Sequence, residues 1–412
     1  MHIVMLSDLE TLGGAAIATS RLADALCQAG HRVTRLVNAA DGQEHAWDTL
    51  QLCLHNSLPL AFRATRHLYS GLGEKWGGHI VQKELSRALS RLRPDVINVH
   101  NLHEATSAGW SAGLLRICAD HAPVVWTLHD MWSFTGRCAY NYDCRKFVTG
   151  CDKMCPTPTE SPVLVPQRIA KAWRQRYELL EAFPHMVAVT PSRWLAREAQ
   201  AGLWRGHRVE LIPYSLPLDI YLPLDRTLAR KALGIDKLGP VFLTSAQNLT
   251  ERRKGGGLLV EALQYVSRRP LTLVTLGSGR LRVEAEGVHI YPLGYVDHER
   301  TKVLAYNAAD VLVHPALMDN LPNVMMEAIA CGTPAVGFAI GGVPDIVHPG
   351  QTGWLCNEIS SRALASVVDV ALGDVQDGND LRAPCRSLAE AEYAQHRQAE
   401  HYIELFRSIV SK

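Results

Sequence analysis

Short apolar segments alternate with amphipathic segments along the first half of the chain. Buried strands are predicted at His2–Leu6, His31–Val37, Val96–Val99, Val124–Leu128 and Met186–Val189, and a helix at Ile17–Ala29. A strand followed by a helix and then by another strand is typical of a parallel sheet with helices on both faces. The alternation therefore predicts an α/β domain built around a parallel sheet.

A second alternating set begins after the proline-containing stretch Leu211–Pro223, which indicates an interdomain linker. Beyond it, strands are predicted at Val241–Ser245, Leu271–Gly277, His289–Leu293 and Val311–His314, and a helix at Gly257–Val266. A chain of 412 residues is long enough for two hydrophobic cores. We therefore predict two doubly wound, Rossmann-like domains, at residues 1–215 and 216–387, and a C-terminal helix in residues 388–412.

Composition and charge narrow the classes of function. The chain carries 42 Lys+Arg and 41 Asp+Glu, and this balance argues against a general nucleic-acid-binding protein. No apolar run approaches the ~18 residues of a membrane span. The N-terminal segment His2–Asp8 resembles a strand rather than a secretion signal, so we predict a cytoplasmic protein whose cysteines start out reduced.

The most informative local pattern surrounds Asp319 and Glu327. Asn320 and Asn323 precede a helical run from Val324 to Ala330, where capping residues are expected. Free backbone N–H groups and the positive end of the dipole make such a helix start an anion site. Asp319 would then lie beside a bound phosphate, and Glu327 would reach another hydroxyl of the same ligand. Alternatively, Asp319 only ends a strand and Glu327 is a solvated helix residue.

Cations and glycines supply further candidate phosphate contacts. Arg253 and Lys254 precede a predicted helix, where they can neutralise a diphosphate, although a solvated turn would show the same charges. Gly13 and Gly14 follow the first strand, where glycine lets the backbone approach a phosphate closely. Gly277 ends a predicted strand, at the sheet edge where ligands of parallel sheets bind.

Several segments together resemble a known family. Asp319–Glu327 resembles the Glu-x7-Glu signature of retaining GT-B glycosyltransferases, and Gly341–Val347 is also similar to that family. Trp126–Cys138 resembles a branch of glycosyltransferase family 4 found in bacterial exopolysaccharide synthesis, including colanic-acid-type enzymes. The resemblance spans nearly the whole chain. It implies two Rossmann-like domains facing a cleft, retaining transfer from a nucleotide sugar, and a last helix, Leu388–Ser411, that crosses back onto the first domain.

The resemblance also implies roles for individual residues. Catalytic roles are expected for His129, Lys254 and Asp319. His129 aligns with a histidine that contacts the transferred sugar or the acceptor, and Asp130 is expected to orient it. Lys254 and Arg253 are expected to stabilise the departing nucleotide diphosphate. The expected substrate contacts are Gly13, Gly14, His103, Asp130, Arg253, Gly277, Tyr295, Asn320, Leu321, Asn323 and Glu327.

Two positions depart from the family pattern. Asp319 stands where the family usually has Glu, and its shorter side chain moves the carboxylate by roughly 1.5 Å, the length of one C–C bond. Tyr214 and Ser215 stand where relatives often have Asn-Gly. The first departure can change which sugar is preferred.

The sequence places four cysteines within eighteen residues, at Cys138, Cys144, Cys151 and Cys155. Four thiolates can hold a structural Zn²⁺, although the spacings differ from paired Cys-x2-Cys knuckles. Free thiols and disulfides are the alternatives. A zinc ion there would shape the acceptor loop rather than take part in chemistry. No Asp-x-Asp pair occurs in the chain, so no catalytic metal or other cofactor is predicted.

Residues Ser57–Arg93 form a basic segment with seven Lys or Arg and two Glu among apolar and aromatic residues. The segment is either an amphipathic helical pair with a solvated basic face, or a surface that faces anionic lipid. The second reading would hold the protein at the inner face of the cytoplasmic membrane, near a lipid-linked acceptor. The expected partners are a nucleotide-sugar donor and a glycan or lipid-linked acceptor, without nucleic acid.

Two other functions use the same scaffold. A nucleotide-sugar epimerase would need no acceptor, but the paired catalytic carboxylates expected in its first domain are not apparent. A non-catalytic sugar-nucleotide-binding module would bind without turnover, and the joint presence of Lys254, Asp319 and Glu327 argues against it. A dinucleotide dehydrogenase is disfavoured because the chain has no Gly-x-Gly-x-x-Gly fingerprint.

Overall fold

The computed structural model describes residues 1–52, 70–103, 110–157, 160, 162–235 and 239–411, and for residues 70–78 it describes the backbone alone. The described residues form two compact units. The first comprises Met1–Tyr214 and Gln398–Lys412, and the second comprises Ser215–Arg397. Each unit is built around one parallel sheet, which confirms the predicted α/β class.

The sheet of the first unit consists of β1 (His2–Leu9), β2 (Arg32–Ala39), β3 (Asp48–Gln51), β4 (Val96–Val99), β5 (Val124–Thr127), β6 (Val187–Thr190) and β7 (Val209–Leu211). The strands pair in parallel in the order β3-β2-β1-β4-β5-β6-β7. The described helices between them are α1 (Gly14–Gln28), α2 (Ser70–Leu92), α3 (Leu114–Ala119), α4 (Pro166–Ala182) and α5 (Arg193–Ala201).

Helices cover both faces of this sheet because successive side chains of a strand point to opposite faces. Ile3 and Met5 of β1 belong to a buried core that includes Leu22 of α1. Val4 and Leu6 belong to a second core that includes side chains of α2 and α3. The near-continuous apolar sequence of β1 thus reflects burial on both sides.

The sheet of the second unit consists of β8 (Val241–Asn248), β9 (Leu271–Ser278), β10 (Val288–Gly294), β11 (Val311–His314), β12 (Ala335–Phe338) and β13 (Gly353–Cys356). The strands pair in parallel in the order β10-β9-β8-β11-β12-β13. The helices of this unit are α6 (Arg226–Leu233), α7 (Gly256–Tyr265), α8 (Glu299–Ala308), α9 (Asn323–Ala330), α10 (Ser361–Gln376) and α11 (Arg382–Glu392).

The prediction of one continuous helix over Leu388–Ser411 is wrong. The chain instead forms α11 and a separate last helix, α12 (Gln395–Val410). At the break, the backbone N–H of Leu216 donates to the carbonyl of Tyr393 at 2.8 Å, and Leu216 forms a short β-bridge with Ala394. From Gln398 onward, α12 belongs to the first unit and contributes to its core.

The basic segment Ser57–Arg93 lies mostly outside the described residues, and α2 covers its second part. The interpretation of this segment therefore stays a prediction from sequence. In the part of the chain that the structure describes, no helix combines the length and the apolar composition that crossing a membrane requires.

The strand order reverses direction once in each sheet, between β1 and β4 and between β8 and β11. The connections that leave two such neighbouring strands run to opposite sides, which opens a crevice at the carboxyl edge of the sheet. Ligands of open α/β sheets bind in this crevice. The loops after β1, β4, β8 and β11 are therefore where each unit can build a site.

Candidate active site

The second unit brings Lys254 and Asp319 into direct contact at the carboxyl edge of its sheet. Lys254 ends a single 3-10 turn, Arg252–Lys254, after β8, and Asp319 lies in the loop after β11. Lys254 Nζ lies 2.6 Å from Asp319 Oδ2, and Arg253 Nη1 lies 3.7 Å from the same oxygen. The two residues predicted to hold a diphosphate thus share one carboxylate at the point where the strand order reverses.

Backbone contacts fix these two loops to each other. The N–H of Leu317 donates to the carbonyl of Arg253 at 2.7 Å, and the Arg253 guanidinium donates to the carbonyl of Met318 at 3.0 Å. Gly255 follows Lys254 with a φ of +71°, and a Cβ at Gly255 would lie 1.8 Å from the Pro315 carbonyl oxygen. Only glycine therefore fits at this position, and the close approach holds Lys254 beside the second loop.

Asp319 is ionised in this cluster. Burial raises the pKa of the Asp319 carboxyl, but Lys254, Arg253 and His314 outweigh burial and hold that pKa well below its usual range. His314 Nε2 lies 3.4 Å from Asp319 Oδ2, and burial together with the two cations lowers the pKa of His314. Two cations therefore face the Asp319 carboxylate, and Arg253 also pairs with Glu251 at 3.0 Å. Lys254 and Arg253 are both suited to binding an anionic ligand such as a diphosphate.

The start of α9 differs from the prediction. Pro322 occupies the N-cap position and Asn323 is the first helical residue, so neither Asn320 nor Asn323 is the capping residue. Proline suits a helix start because its φ is fixed near the helical value. The backbone N–H of Asn320 donates to Asp319 Oδ1 at 3.1 Å, and Leu321 is buried. Asp319 therefore organises the loop in addition to facing Lys254.

Glu327 is buried in the middle of α9, with 5% of its surface exposed. Its Oε2 accepts a hydrogen bond from the Tyr306 hydroxyl of α8 at 2.8 Å. Burial and the Glu327 charge raise the pKa of Tyr306 well above its ordinary value, so this hydroxyl stays a donor. The alternative that Glu327 is a solvated helix residue is wrong, because the hydroxyl of another helix orients its carboxylate.

Gly277 and Tyr295 lie farther along the same sheet edge. Gly277 in β9 has a φ of +145°, and a Cβ there would lie 1.9 Å from the Ala246 carbonyl oxygen. Tyr295 follows β10 and is exposed. β9 pairs directly with β8, and β10 pairs with the other side of β9. The roles of Gly277 and Tyr295 as nucleotide contacts stay predictions.

The first unit gathers histidines at the carboxyl ends of β4 and β5. His100 and His103 follow β4, and His129 follows β5. His100 Nδ1 lies 3.0 Å from His129 Nε2, and His129 Nδ1 lies 2.7 Å from the Tyr214 hydroxyl. Both ring nitrogens of His129 are thus engaged with protein groups.

Asp130 orients His103, and the prediction that it orients His129 is wrong. Asp130 Oδ2 lies 3.0 Å from His103 Nε2, and Asp130 Oδ1 accepts the backbone N–H of Trp132 at 2.8 Å. The reason is local geometry, because successive side chains leaving a strand point in opposite directions. His129 and Asp130 therefore belong to two separate hydrogen-bonded groups.

These two groups differ in charge. Burial lowers the pKa of His129 to about 4 and that of His100 well below its usual value, so both rings are neutral at pH 7. Burial also lowers the pKa of His103, but the carboxylates of Asp130 and Asp8 more than offset it and raise that pKa. Burial raises the pKa of Asp130, and His103 outweighs this and lowers it. The neutral side chains of His100 and His129 thus lie beside a second group, in which the Asp130 carboxylate contacts His103 and raises the pKa of that histidine.

Gly13 and Gly14 form the turn between β1 and α1. Gly13 has a φ of +95° and precedes the first turn of α1, where its carbonyl accepts the N–H of Ile17 at 2.9 Å. A left-handed φ favours glycine at this position. The turn follows β1 at the point where the strand order of the first sheet reverses, so its predicted role beside a substrate stays open to test.

Glu10, Asp41 and His45 have ligand atoms within 4.8 Å of one another, and no other three such residues do so in the described part of the chain. Glu10 Oε1 accepts the Trp47 indole N–H at 3.1 Å and the Thr49 hydroxyl, and Glu10 Oε2 accepts the backbone N–H of Asp41 at 3.0 Å. These hydrogen bonds hold the loop between β2 and β3, and they explain why the three side chains lie close together.

The four clustered cysteines are partly buried thiols, and Cys53 of the ten lies outside the described residues. Burial raises the pKa of Cys138 to about 11 and that of Cys151 to about 12, and the neighbouring thiols Cys144 and Cys155 add to both shifts. Within the described loop, no three of these sulfur atoms lie within 4.8 Å of one another. Zinc binding would need the sulfur atoms to move closer, and it stays a prediction.

The structure adds four residues to which the sequence analysis assigned no role in the site, namely His100, Tyr214, His314 and Tyr306. His100 and His314 lie at strand ends, which is a signal that the sequence contains. Tyr214 and Tyr306 contact residues 85 and 21 positions away, and no local pattern indicates either contact.

Comparison with known families assigns both units. Residues 12–219 match the family described as Glycosyltransferase Family 4, and residues 239–374 match the one described as Glycosyl transferases group 1. The chain is 26% identical to the putative colanic acid biosynthesis glycosyl transferase WcaC of Escherichia coli K12, over 79% of this chain and 80% of that protein. It is 33% identical to a D-inositol 3-phosphate glycosyltransferase of Streptomyces scabiei, over 45% of this chain and 44% of that protein.

Solved structures share the fold at low sequence identity. Sucrose-phosphate synthase from Thermosynechococcus elongatus superposes with a TM-score of 0.73 at 19% identity, over 100% of this chain and 99% of that one. HepE from Anabaena in complex with UDP-glucose superposes with a TM-score of 0.69 at 18% identity, over 99% and 100%. The predicted GT-B fold is confirmed.

Proposed function

We propose that this chain, which belongs to glycosyltransferase family 4, transfers a sugar from a nucleotide-sugar donor to a hydroxyl of a glycan acceptor, with retention at the anomeric carbon. Family membership makes the chain a glycosyltransferase. The donor class, the stereochemistry and the acceptor are what we infer beyond the family. The similar Anabaena protein was solved with UDP-glucose, which supports a nucleotide-sugar donor.

The contact between Lys254 and Asp319 carries the proposal. Lys254 and Arg253 would bind the diphosphate and stabilise the negative charge that develops on it as the bond to the sugar breaks. Asp319 and Glu327 would hold hydroxyls of the sugar and the ribose. Asp319 keeps Lys254 in place before the donor binds, so little reorganisation is needed. In this scheme the two cations act on the diphosphate without a catalytic divalent metal.

We place the acceptor on a lipid carrier and the reaction in exopolysaccharide synthesis at the inner face of the cytoplasmic membrane. Similarity to the Escherichia coli colanic acid protein supports this role. The basic segment Ser57–Arg93 supports attraction to anionic lipid. Co-sedimentation with vesicles that contain anionic lipid, compared with neutral vesicles, tests the membrane part separately from catalysis.

The donor is tested by incubating the pure protein with each common nucleotide sugar while following thermal shift and nucleotide release. One donor should stabilise the wild type and be hydrolysed slowly, and Lys254→Ala should lose this activity by about 10²-fold or more. Asp319→Ala should also lose it, whereas Lys231→Ala, an exposed lysine of α6, should behave like wild type. A wild type that neither binds nor hydrolyses any nucleotide sugar would contradict the proposal.

A further inference from the structure

We propose that His103, held by Asp130, is the catalytic base that takes the proton of the acceptor hydroxyl, and that His129 is a positioning residue. This inference rests on the proposed function and names the group that acts on the acceptor. It reverses the assignment that the family resemblance implies for these two histidines.

The geometry around His103 is that of an oriented base. Its Nε2 lies 3.0 Å from Asp130 Oδ2, and its backbone N–H donates to Asp8 Oδ2 at 3.0 Å. Among the described residues, none hydrogen-bonds the other ring nitrogen, Nδ1, and 19% of the side chain is exposed. When Nε2–H donates to Asp130, the lone pair of Nδ1 is left for a substrate hydroxyl.

His129 lacks such a nitrogen. Its Nε2 faces His100 and its Nδ1 faces the Tyr214 hydroxyl, and the three side chains are buried. A substrate hydroxyl could reach a His129 nitrogen only by displacing one of these partners. The hydrogen bonds to His100 and Tyr214 therefore suit a residue that holds the site in shape rather than one that binds the acceptor hydroxyl. Tyr214 occupies a position where relatives often have Asn.

Position in the fold supports a substrate role for His103. The residue follows β4, and Asp8 lies near the end of β1. These are the two strands between which the order of the first sheet reverses. A ligand of this unit is expected at that edge. The ring of His103 also lies 5.4 Å from that of the buried Trp132, which holds the histidine from the side of the protein core.

The charged groups around His103 set its titration. Asp130 and Asp8 raise its pKa, Arg176 of α4 lowers it, and burial also lowers it, with a net rise above the ordinary value. Among the described residues, His129 is a further titratable group close to the pair, and it is neutral at pH 7. His103 therefore gains its proton readily, and the resulting imidazolium is stabilised by the Asp130 carboxylate.

The proposed step balances without any further reactant. The acceptor oxygen forms a bond to the anomeric carbon, and the bond from that carbon to the phosphate oxygen breaks with its electron pair leaving on the nucleotide diphosphate. The proton of the acceptor hydroxyl moves to His103 Nδ1. Because the base must be neutral to accept it, transfer should increase with pH through the raised pKa of His103.

The test compares His103→Gln, Asp130→Asn and Tyr214→Phe with wild type in sugar transfer and in donor hydrolysis without acceptor. His103→Gln should lower transfer by about 10²-fold or more and abolish the rising limb of the pH profile. Asp130→Asn should move that limb to lower pH, because the missing carboxylate lowers the pKa of His103. Tyr214→Phe and the exposed-residue control His185→Gln should leave the limb where it is.

Titration of the histidine ring resonances by NMR gives a readout that needs no substrate. His103 should titrate above pH 6.5 in wild type and at lower pH in Asp130→Asn, whereas His129 should stay neutral down to about pH 4. If wild type transfers sugar and His103→Gln keeps both the rate and the limb, the leaving phosphate takes the proton and the inference is overturned. If wild type turns over no nucleotide sugar, the proposed function itself has failed.

Discussion

Lys254 Nζ and Asp319 Oδ2 lie 2.6 Å apart although 65 positions separate the two residues in the sequence. The contact joins the loops after β8 and β11, which are neighbours in the sheet but not consecutive in the chain. The side chains are only 19% and 10% exposed, so each charge depends on the other for its stabilisation. The pair therefore links the stability of the second unit to its ability to hold an anion.

A double-mutant cycle with Lys254→Ala and Asp319→Ala should show this coupling. Asp319→Ala removes the carboxylate that contacts Lys254 at 2.6 Å, and Lys254→Ala leaves Asp319 with the more distant Arg253 and His314. The double variant should therefore be less destabilised than the sum of the two single variants, by about 1–3 kcal/mol. The measurement is the free energy of unfolding of the four proteins in urea. A parallel cycle with the exposed residues Lys231 and Asp377 should show coupling near zero, and an equally small value for the first cycle would contradict the prediction.

Gly341→Ala should damage the site more than Gly350→Ala, although both glycines have a positive φ. A Cβ at Gly341 would lie 1.9 Å from the Asp319 carbonyl oxygen, whereas a Cβ at Gly350 would meet no atom within 4 Å. Both variants should lose about 1–2 kcal/mol for the left-handed backbone. Only Gly341→Ala should also weaken donor binding, because Asp319 must move. Equal donor affinity in the two variants would contradict this expectation.

Tyr306→Phe should raise the KM for the donor more than it lowers kcat. The substitution removes the hydroxyl that orients the Glu327 carboxylate, and a lost buried hydrogen bond of this kind costs about 1–3 kcal/mol. Tyr291→Phe is the matched control, because it removes a 2.6 Å bond to the Leu233 carbonyl elsewhere in the second unit. Steady-state kinetics of both variants, with their melting temperatures, decides the matter. A KM that rises equally in the control would show that lost stability is the cause.

The stability of the first unit should fall between about pH 6.5 and pH 4 because His129 is buried in neutral form. The unfolded state takes up a proton below pH 6.5, while the folded pKa of about 4 delays uptake by the folded state, so falling pH favours unfolding. His129→Gln should reduce this pH dependence by about 3 kcal/mol. The control His185→Gln, at an exposed position, should keep it, and unfolding curves measured across this range give the comparison.

The cysteine loop should hold one zinc ion per chain when the protein is purified under reducing conditions. Elemental analysis measures the metal, and Cys138→Ser and Cys151→Ser should each lose it, because removing one thiolate leaves an incomplete tetrahedral set. Cys27→Ser, in α1, should retain it. A protein with no zinc, in which all four loop thiols react with a thiol reagent, would establish the free-thiol alternative.

Much of the architecture is readable from the sequence, because alternating apolar segments are local and each indicates its own strand or helix. The fold class and the family follow from that pattern and from Asp319–Glu327 and Trp126–Cys138. The sequence did not predict the break before α12. At that break the chain bonds to a distant segment, since the backbone N–H of Leu216 donates to the carbonyl of Tyr393.

The candidate residues Lys254, Asp319, His103 and His129 could all be identified from the sequence. Their partners could not, because Asp130 meets His103 and Tyr214 meets His129 only in the folded chain. The two differ in how far along the chain the responsible interactions reach. Periodicity and turn chemistry act over a few residues, whereas the partner of a buried side chain depends on the order of the strands and on the direction in which each side chain leaves its strand.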